Sequence, residues 1–148
     1  MPALQAALHK ENEMAYIERK VNKYGAIKTE YNGNRYDSKF EASVARDLDI
    51  RLAAGEIKEW ERQYKVEMWA YDCHGKRAMK VSHKVDFRVH EHDGSYTLLE
   101  AKGIETADYK MRRNWLEAFW LPENLDHVYQ VVKERSGYVN SQRKKRIR

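Results

Sequence analysis

The sequence predicts an α/β fold in which one mixed β-sheet is flanked by helices. Three observations lead to this prediction. Two strand-like segments, residues 81–90 and 96–101, are separated by a turn signal, and a capped helical pattern covers residues 38–54. A second helical pattern then leads into a last strand-like segment at residues 127–133. Strands and helices that alternate in this way are typical of a sheet covered by helices.

The two central strands are predicted to form a hairpin. Both are rich in β-branched and aromatic residues, and residues 91–95 between them contain an Asp-Gly turn signal. If these residues form the loop, His90 pairs with Tyr96, and the same register sets Asp86 opposite Glu100. The register therefore brings two carboxylates together.

Side-chain alternation adds a lysine to these carboxylates. Asp86 and Arg88 are predicted on one strand face, while Glu100 and Lys102 share a face. The alternate residues of the first strand are predicted to share the other face: Val85, Phe87 and Val89. Two neighbouring carboxylates need a cation between them, and hard oxygen ligands favour Mg²⁺, Mn²⁺ or Ca²⁺ over zinc. The alternative interpretation is an exposed hairpin with a salt-bridge ladder.

A third carboxylate lies on the predicted helix at residues 38–54. Asp37 or Ser38 is a suitable N-cap, and Gly55 supplies the C-terminal stop. Glu41 falls within the apolar stripe, where a carboxylate is costly unless it is paired or bound to a metal. Alternatively, it lies at the rim of the stripe, where the helix dipole favours it. The stripe itself consists of Phe40, Val44, Ala45, Leu48 and Leu52.

The remaining elements complete the predicted sheet. Residues 29–35 are expected to form a short hairpin about Asn32-Gly33, and residues 57–69 one or two strands. A turn at 72–76 then returns the chain into a strand at 77–90, which makes an antiparallel meander. Residues 127–133 are predicted to add a strand parallel to its neighbour.

A second helix is predicted to begin at a Thr106 cap and to run to about Trp120, before Pro122. Its buried side is expected to contain Leu116, Phe119 and Trp120, with Trp115 or Met111.

Length and charge define three regions. The 148 residues fit a single domain, with a helical extension at 1–22, a core at 23–134 and a basic tail at 135–148. The extension is predicted to pack on the core, mediate dimerisation or lie across DNA. The net charge is +5, which equals the five basic residues at 143–148. Such a tail is a solvated segment or a flexible arm that contacts phosphates independently of sequence.

Other classes are disfavoured by composition. No apolar segment approaches the length of a membrane span, and the first ten residues lack an apolar signal core. The single cysteine, Cys73, excludes an internal disulfide framework and a multi-cysteine zinc site. We therefore expect a soluble, cytoplasmic protein without a membrane partner.

The order of the carboxylates and the lysine resembles the PD-(D/E)xK nuclease superfamily. Glu41 on a first helix, Asp86 on a strand and Glu100-Ala101-Lys102 on the next strand follow that order, and residues 31–41 form the polar lead-in. Small phage-encoded nucleases and Holliday-junction resolvases are most similar in appearance. The resemblance spans residues 23–134 and departs from the signature at Val85, where the family has proline.

The resemblance implies a restriction-endonuclease-like fold and hydrolysis of DNA with Mg²⁺ or Mn²⁺ as the cofactor. Asp86 and Glu100 would be metal ligands and Lys102 the catalytic lysine. Glu41 would be an additional metal ligand or would orient water. The helix after the lysine strand would lie beside the active site, so its residues are candidates for DNA contact, although a solvated helix face is the alternative. The DNA-contact candidates are Lys84, Tyr109, Lys110, Arg112, Arg113, Arg143, Lys144, Lys145 and Arg146.

The predicted function is therefore that of a metal-dependent DNA endonuclease that is phage-encoded, acts in the cytoplasm of a bacterial host cell and selects branched DNA. Activated water would cleave the phosphodiester bond without a covalent intermediate. A resolvase-like activity would require a homodimer, and no small-molecule cofactor is expected. Two alternatives stay open: a sequence-specific restriction or homing-type endonuclease, and a noncatalytic nucleic-acid-binding protein with the same fold.

Overall fold

A computed structural model describes residues 25–134 of the protein. The predicted N-terminal helix and the basic tail, including Arg143, Lys144, Lys145 and Arg146, lie outside the described residues. Within them, the elements follow in the order β1 (Thr29–Tyr31), β2 (Asn34–Tyr36), α1 (Lys39–Ala53), β3 (Glu59–Tyr71), β4 (Arg77–His90), β5 (Tyr96–Lys102), α2 (Ala107–Trp115) and β6 (His127–Lys133).

Four strands form a mixed sheet in the order β3, β4, β5, β6. The first two pairings are antiparallel, and β6 lies parallel to β5. A separate two-stranded hairpin of β1 and β2 turns at Asn32 and Gly33, which both have positive φ. The predicted α/β class, the meander and the parallel last strand are confirmed.

Helix α1 is set by its first turn. Ser38 is the N-cap, and its Oγ accepts a hydrogen bond from the Glu41 backbone N–H at 3.0 Å. The Glu41 side chain folds back, and its Oε2 accepts from the Asp37 backbone N–H at 3.3 Å. Two otherwise unpaired N–H groups are thus satisfied, much as in a capping box. The helix ends before Gly55, which has a φ of 74°.

The sheet buries apolar residues on both faces. Phe87, Val89 and Leu99 pack with α1 in one cluster. Leu98 packs with Leu116 in a second cluster on the other side of the sheet. Since Leu98 and Leu99 are consecutive in β5, this strand is covered on both faces. Residues from β5 are therefore held firmly in position, which is useful for a functional site.

Helix α2 begins as predicted and ends differently. The Thr106 hydroxyl caps it by accepting from the Tyr109 N–H at 3.3 Å. After Trp115 the chain continues as a π-helical turn, Leu116–Trp120, and a 3₁₀ turn, Leu121–Glu123. This change of helical pitch rotates the side chains that follow it out of the α-helical pattern.

Two apolar positions differ from prediction. Leu116 is buried, and Trp120 is partly buried against the same cluster, but Phe119 is 57% exposed. Of the alternatives Trp115 and Met111, Trp115 packs against this cluster and Met111 is exposed. Leu52 is also exposed, because the last turn of α1 extends beyond the core. Across residues 25–134, no helix is both long enough and apolar enough to span a membrane.

Candidate active site

The site lies where β4 and β5 separate. The predicted hairpin register is confirmed over four pairs, from His90 with Tyr96 to Phe87 with Leu99. The backbone ladder ends there, one pair short of Asp86 and Glu100. The Ala101 backbone N–H donates instead to the Asp86 Oδ2 at 2.8 Å. The Asp86 side chain has thus replaced the next backbone acceptor, and the two strands separate. We call this point, at Asp86 in β4 and Glu100 in β5, the fork.

The side-chain alternation of β4 also changes at Asp86. Val85 belongs to the cluster beside Leu116, whereas Phe87 and Val89 belong to the cluster beside α1. The prediction that these three residues share one face is therefore wrong. The opposing residue Gln63 has a φ of 53°, and the ladder between β3 and β4 omits Gln63 and Asp86. A local irregularity in both strands reverses which face they present.

The fork brings together the four residues predicted from sequence. Glu41 is 8% exposed at the start of α1, and Glu100 is 1% exposed in β5. Glu100 Oε1 lies 2.9 Å from Lys102 Nζ. The charges of Glu100, Lys102 and Glu41 all act on the pKa of Asp86, which places the four groups in one electrostatic cluster. Glu41 is thus buried rather than at the solvent-facing rim of its helix.

Asp86 is the most perturbed carboxyl of this cluster. Burial, followed by the negative charge of Glu100, raises its pKa to about 7. The Lys102 charge and the Ala101 N–H act in the opposite direction without cancelling the effect. Burial likewise raises the pKa of Glu41, against the hydrogen bond from the Asp37 N–H. Two carboxyl groups are thus held in surroundings that disfavour their ionised forms.

For Lys102, in contrast, the surroundings favour the ionised form. Burial alone would lower its pKa, but the charges of Glu100 and Asp86 and the hydrogen bond to Glu100 act together against burial, and the pKa rises overall. The ammonium group also lies 4.6 Å from the centre of the Tyr109 ring. Lys102 is therefore charged at neutral pH, and it can donate hydrogen bonds or stabilise negative charge.

The sequence reasoning missed His83 as part of this site. Its ring is 3% exposed, and Nε2 lies 3.2 Å from Glu100 Oε2. Nδ1 is buried and has no hydrogen-bond partner. A signal was present, because His83 occupies the alternate position between Val81 and Val85, where an apolar residue would be expected. Its polarity at a buried position is typical of a functional or positioning role.

The donor chemistry fits a hard divalent cation. Glu41, Asp86 and Glu100 offer carboxylate oxygens, and burial together with the charge of Glu100 raises the pKa of Asp86. In the described part of the chain, no three His, Cys, Asp or Glu side chains are arranged as a metal site. Both Glu100 oxygens already have partners within the chain. A cation at this site would share Glu100 with Lys102 and His83.

An open cleft of about 420 Å³ lies beside the cluster. Glu100, Lys102 and His83 line one part of it, and Lys65 and Lys84 line another. A ligand in this cleft would meet Glu100, Lys102 and His83 together with the two lysines, whereas Asp86 and Glu41 are not among the lining residues.

The predicted DNA contacts from α2 have mixed surroundings. Tyr109 is 7% exposed, and its hydroxyl is 2.7 Å from that of Tyr129, but it is among the residues that line the cleft. Arg112 donates to the Ser82 carbonyl and to Asp108. Arg113 pairs with Glu117 at 3.0 Å. Lys84 and Lys110 are exposed.

Comparison with known proteins gives one match. None of the curated proteins and none of the solved structures matches the chain. One family model matches residues 21–136, which include every described element and both sides of the fork. The chain therefore belongs to the family described as "Protein of unknown function (DUF1064)".

Proposed function

We propose that this protein is a Mg²⁺- or Mn²⁺-dependent DNA endonuclease that cleaves branched DNA. The observation that carries the proposal is that Glu41 and Glu100 are buried, that their charges and that of Lys102 act on the half-buried Asp86, and that the Lys102 ammonium lies 2.9 Å from Glu100. Burying two carboxyl groups beside a third is costly, and such an arrangement is typical of sites where carboxylates hold a cation for chemistry. The order of these residues in the PD-(D/E)xK resemblance supports the same activity.

Each residue has a role that follows from its surroundings. Asp86 and Glu100 would hold the cation, with Glu41 as a further ligand or as the group that orients water. A bound divalent cation would supply activated water and would offset the charge that develops on the phosphate. Since Lys102 stays protonated, it would stabilise that charge rather than remove a proton. His83 would hold Glu100 in position through its second oxygen.

The reaction is a hydrolysis. The water oxygen attacks phosphorus and gives up a proton to solvent, the bond from phosphorus to the leaving sugar oxygen breaks, and that oxygen receives a proton from solvent. A phosphate group in the cleft would lie beside Glu100 and Lys102, which line it.

The test is cleavage of a plasmid and of a four-way DNA junction with Mg²⁺, with Mn²⁺ and with EDTA. The variants Asp86→Asn and Lys102→Ala should each lower the cleavage rate by about 100-fold or more while DNA binding persists. Asp47→Asn and Lys58→Ala are matched controls, since both residues are exposed. Cleavage by both site variants at the wild-type rate would overturn the proposal.

The substrate preference has its own readout. Symmetrical cuts in the four-way junction, by a protein that is dimeric in solution, would support the resolvase-like activity. Cuts at one sequence in linear DNA would instead support a restriction or homing-type endonuclease.

A noncatalytic nucleic-acid-binding protein is the second candidate. One observation favours this candidate. Lys102 and His83 are both partners of Glu100, and together they satisfy both oxygens of its carboxylate without a metal. In that case DNA binding should not depend on a divalent cation, and deletion of the basic tail should weaken it most.

A further inference from the structure

Beyond the fork, β3 and β4 continue as a two-stranded arm, residues 64–85. One face of this arm is buried, where Val66, Met68 and Val85 pack with Leu116. The opposite face is open. We call it the arm face and define it by Lys65, Trp69, Tyr71, Arg77, Lys80 and Lys84, all of which are exposed.

The strand register aligns these residues across the arm. Lys65 pairs with Lys84, Trp69 with Lys80, and Tyr71 with Arg77. Side-chain contacts agree with a shared face, because the Arg77 guanidinium lies 4.6 Å and the Lys80 ammonium 5.7 Å from the centre of the Trp69 ring. Cationic and aromatic groups thus alternate over one continuous surface.

The charge of the arm face is strongly positive. Lys65 and Lys80 each lie 2.9 Å from the Glu67 carboxylate, whereas Arg77 and Lys84 form no salt bridge with another described residue. Lys84 faces Lys65 directly across the strands. Like charges in such a pair are unfavourable unless an anion lies between them. The arrangement therefore complements a ligand with several negative groups.

The aromatic residues narrow the choice of ligand. Trp69 is 40% exposed and Tyr71 is 59% exposed. Exposed rings beside cations on a sheet are suited to stacking with unpaired bases while phosphates lie on the cations. A double helix would keep its bases stacked internally and would leave these rings unused.

The arm face continues toward the candidate active site. Lys65 and Lys84 also line the cleft of about 420 Å³ that contains Glu100 and Lys102. A strand bound along the arm would therefore be led to the fork.

We propose that the arm face binds a single-stranded segment of nucleic acid, with its bases on Trp69 and Tyr71 and its phosphates on the surrounding lysines and arginine. The binding stands on the arm alone. The purpose of this binding would be to deliver an unpaired strand, from beside a branch point, to the fork. Only this purpose rests on the proposed nuclease function.

The test is binding of a fluorescent oligothymidine of about 20 nucleotides to the full chain in EDTA, so that cleavage does not enter the measurement. Trp69→Ala should weaken binding by about 5-fold to 100-fold, and Trp69→Phe should restore most of it. Lys80→Glu should also weaken binding. Arg46→Glu, an exposed charge reversal on α1, is the matched control.

Salt separates the arm from nonspecific attraction by the basic tail. Between about 50 mM and about 200 mM salt, the loss caused by Lys80→Glu should shrink, whereas the loss caused by Trp69→Ala should persist. Wild-type affinity in Trp69→Ala would overturn the inference, as would equal losses in Lys80→Glu and Arg46→Glu. A duplex that binds more tightly than the oligothymidine would also overturn it. If the wild-type protein binds oligothymidine but cleaves no DNA with Mg²⁺ or Mn²⁺, only the nuclease function is contradicted.

Discussion

Replacing Asp86 by asparagine should stabilise the protein at neutral and alkaline pH. The amide oxygen of asparagine can still accept the hydrogen bond from the Ala101 N–H, which Asp86 accepts at 2.8 Å. The variant therefore removes the charge and keeps the contact. The gain in stability over wild type should grow with pH, since the Asp86 carboxyl group is neutral at low pH in both the folded and the unfolded protein.

The magnitude follows from the pKa of Asp86, which is raised from 3.8 to about 7 in the folded protein. Between these values the folded state binds more protons than the unfolded state, so wild-type stability falls as the pH rises. A pKa difference of one between the two states corresponds to about 1.4 kcal/mol, so the rise at Asp86 is worth about 4 kcal/mol. With allowance for relaxation around the charge, we expect Asp86→Asn to gain about 2 to 4 kcal/mol near pH 8, and close to none near pH 4.

The assay is urea unfolding in EDTA, followed by tryptophan fluorescence, at several pH values from about 4 to 8. Adding Mg²⁺ near pH 8 should stabilise the wild type and should have less effect on Asp86→Asn, because a ligand stabilises the state that binds it. Asp47→Asn, an exposed carboxylate on α1, should show no comparable pH-dependent gain. A difference between Asp86→Asn and wild type that does not change with pH would refute the reasoning.

Two further predictions concern the partners of the site. His83→Ala should lower the cleavage rate by about 10-fold to 100-fold and raise the Mg²⁺ concentration needed for half-maximal rate, because Glu100 loses the hydrogen bond from Nε2. His83→Gln can still donate a hydrogen bond, so it should recover part of the cleavage rate and part of the Mg²⁺ dependence. An unchanged Mg²⁺ dependence in His83→Ala would show that His83 has a purely structural role. Ser38→Ala should lower the free energy of unfolding by about 1 kcal/mol, since the helix loses its N-cap acceptor. Ser43→Ala is the control in the same helix, and an equal loss in both variants would contradict the capping role.

Much of the fold follows from local patterns in the sequence. Alternating apolar residues, the Asp-Gly turn and the Ser38 cap are short-range signals, and each gives an element close to its observed bounds. The register of the β4 and β5 hairpin follows from the loop length alone. For the same reason, the convergence of Asp86, Glu100 and Lys102 is predictable once the two strands are recognised.

Other features depend on contacts that are distant in sequence. The face reversal at Asp86 needs the opposing Gln63 with its positive φ, and no pattern within either strand indicates that pairing. Phe119 is exposed because a π-helical turn follows α2, which a regular helical period does not anticipate. Strict periodicity therefore fails where the backbone departs from regular geometry.

The sequence by itself determined the α/β class, the order of the elements and the convergence of Asp86, Glu100 and Lys102, because these depend on periodicity, caps and loop length. Only the tertiary structure decided that His83 holds Glu100 and that the pKa of Asp86 rises to about 7. It also decided that the arm leaves a basic and aromatic face open. The physical reason is that burial, electrostatic coupling and strand irregularities arise from how distant segments pack, and no local pattern encodes them.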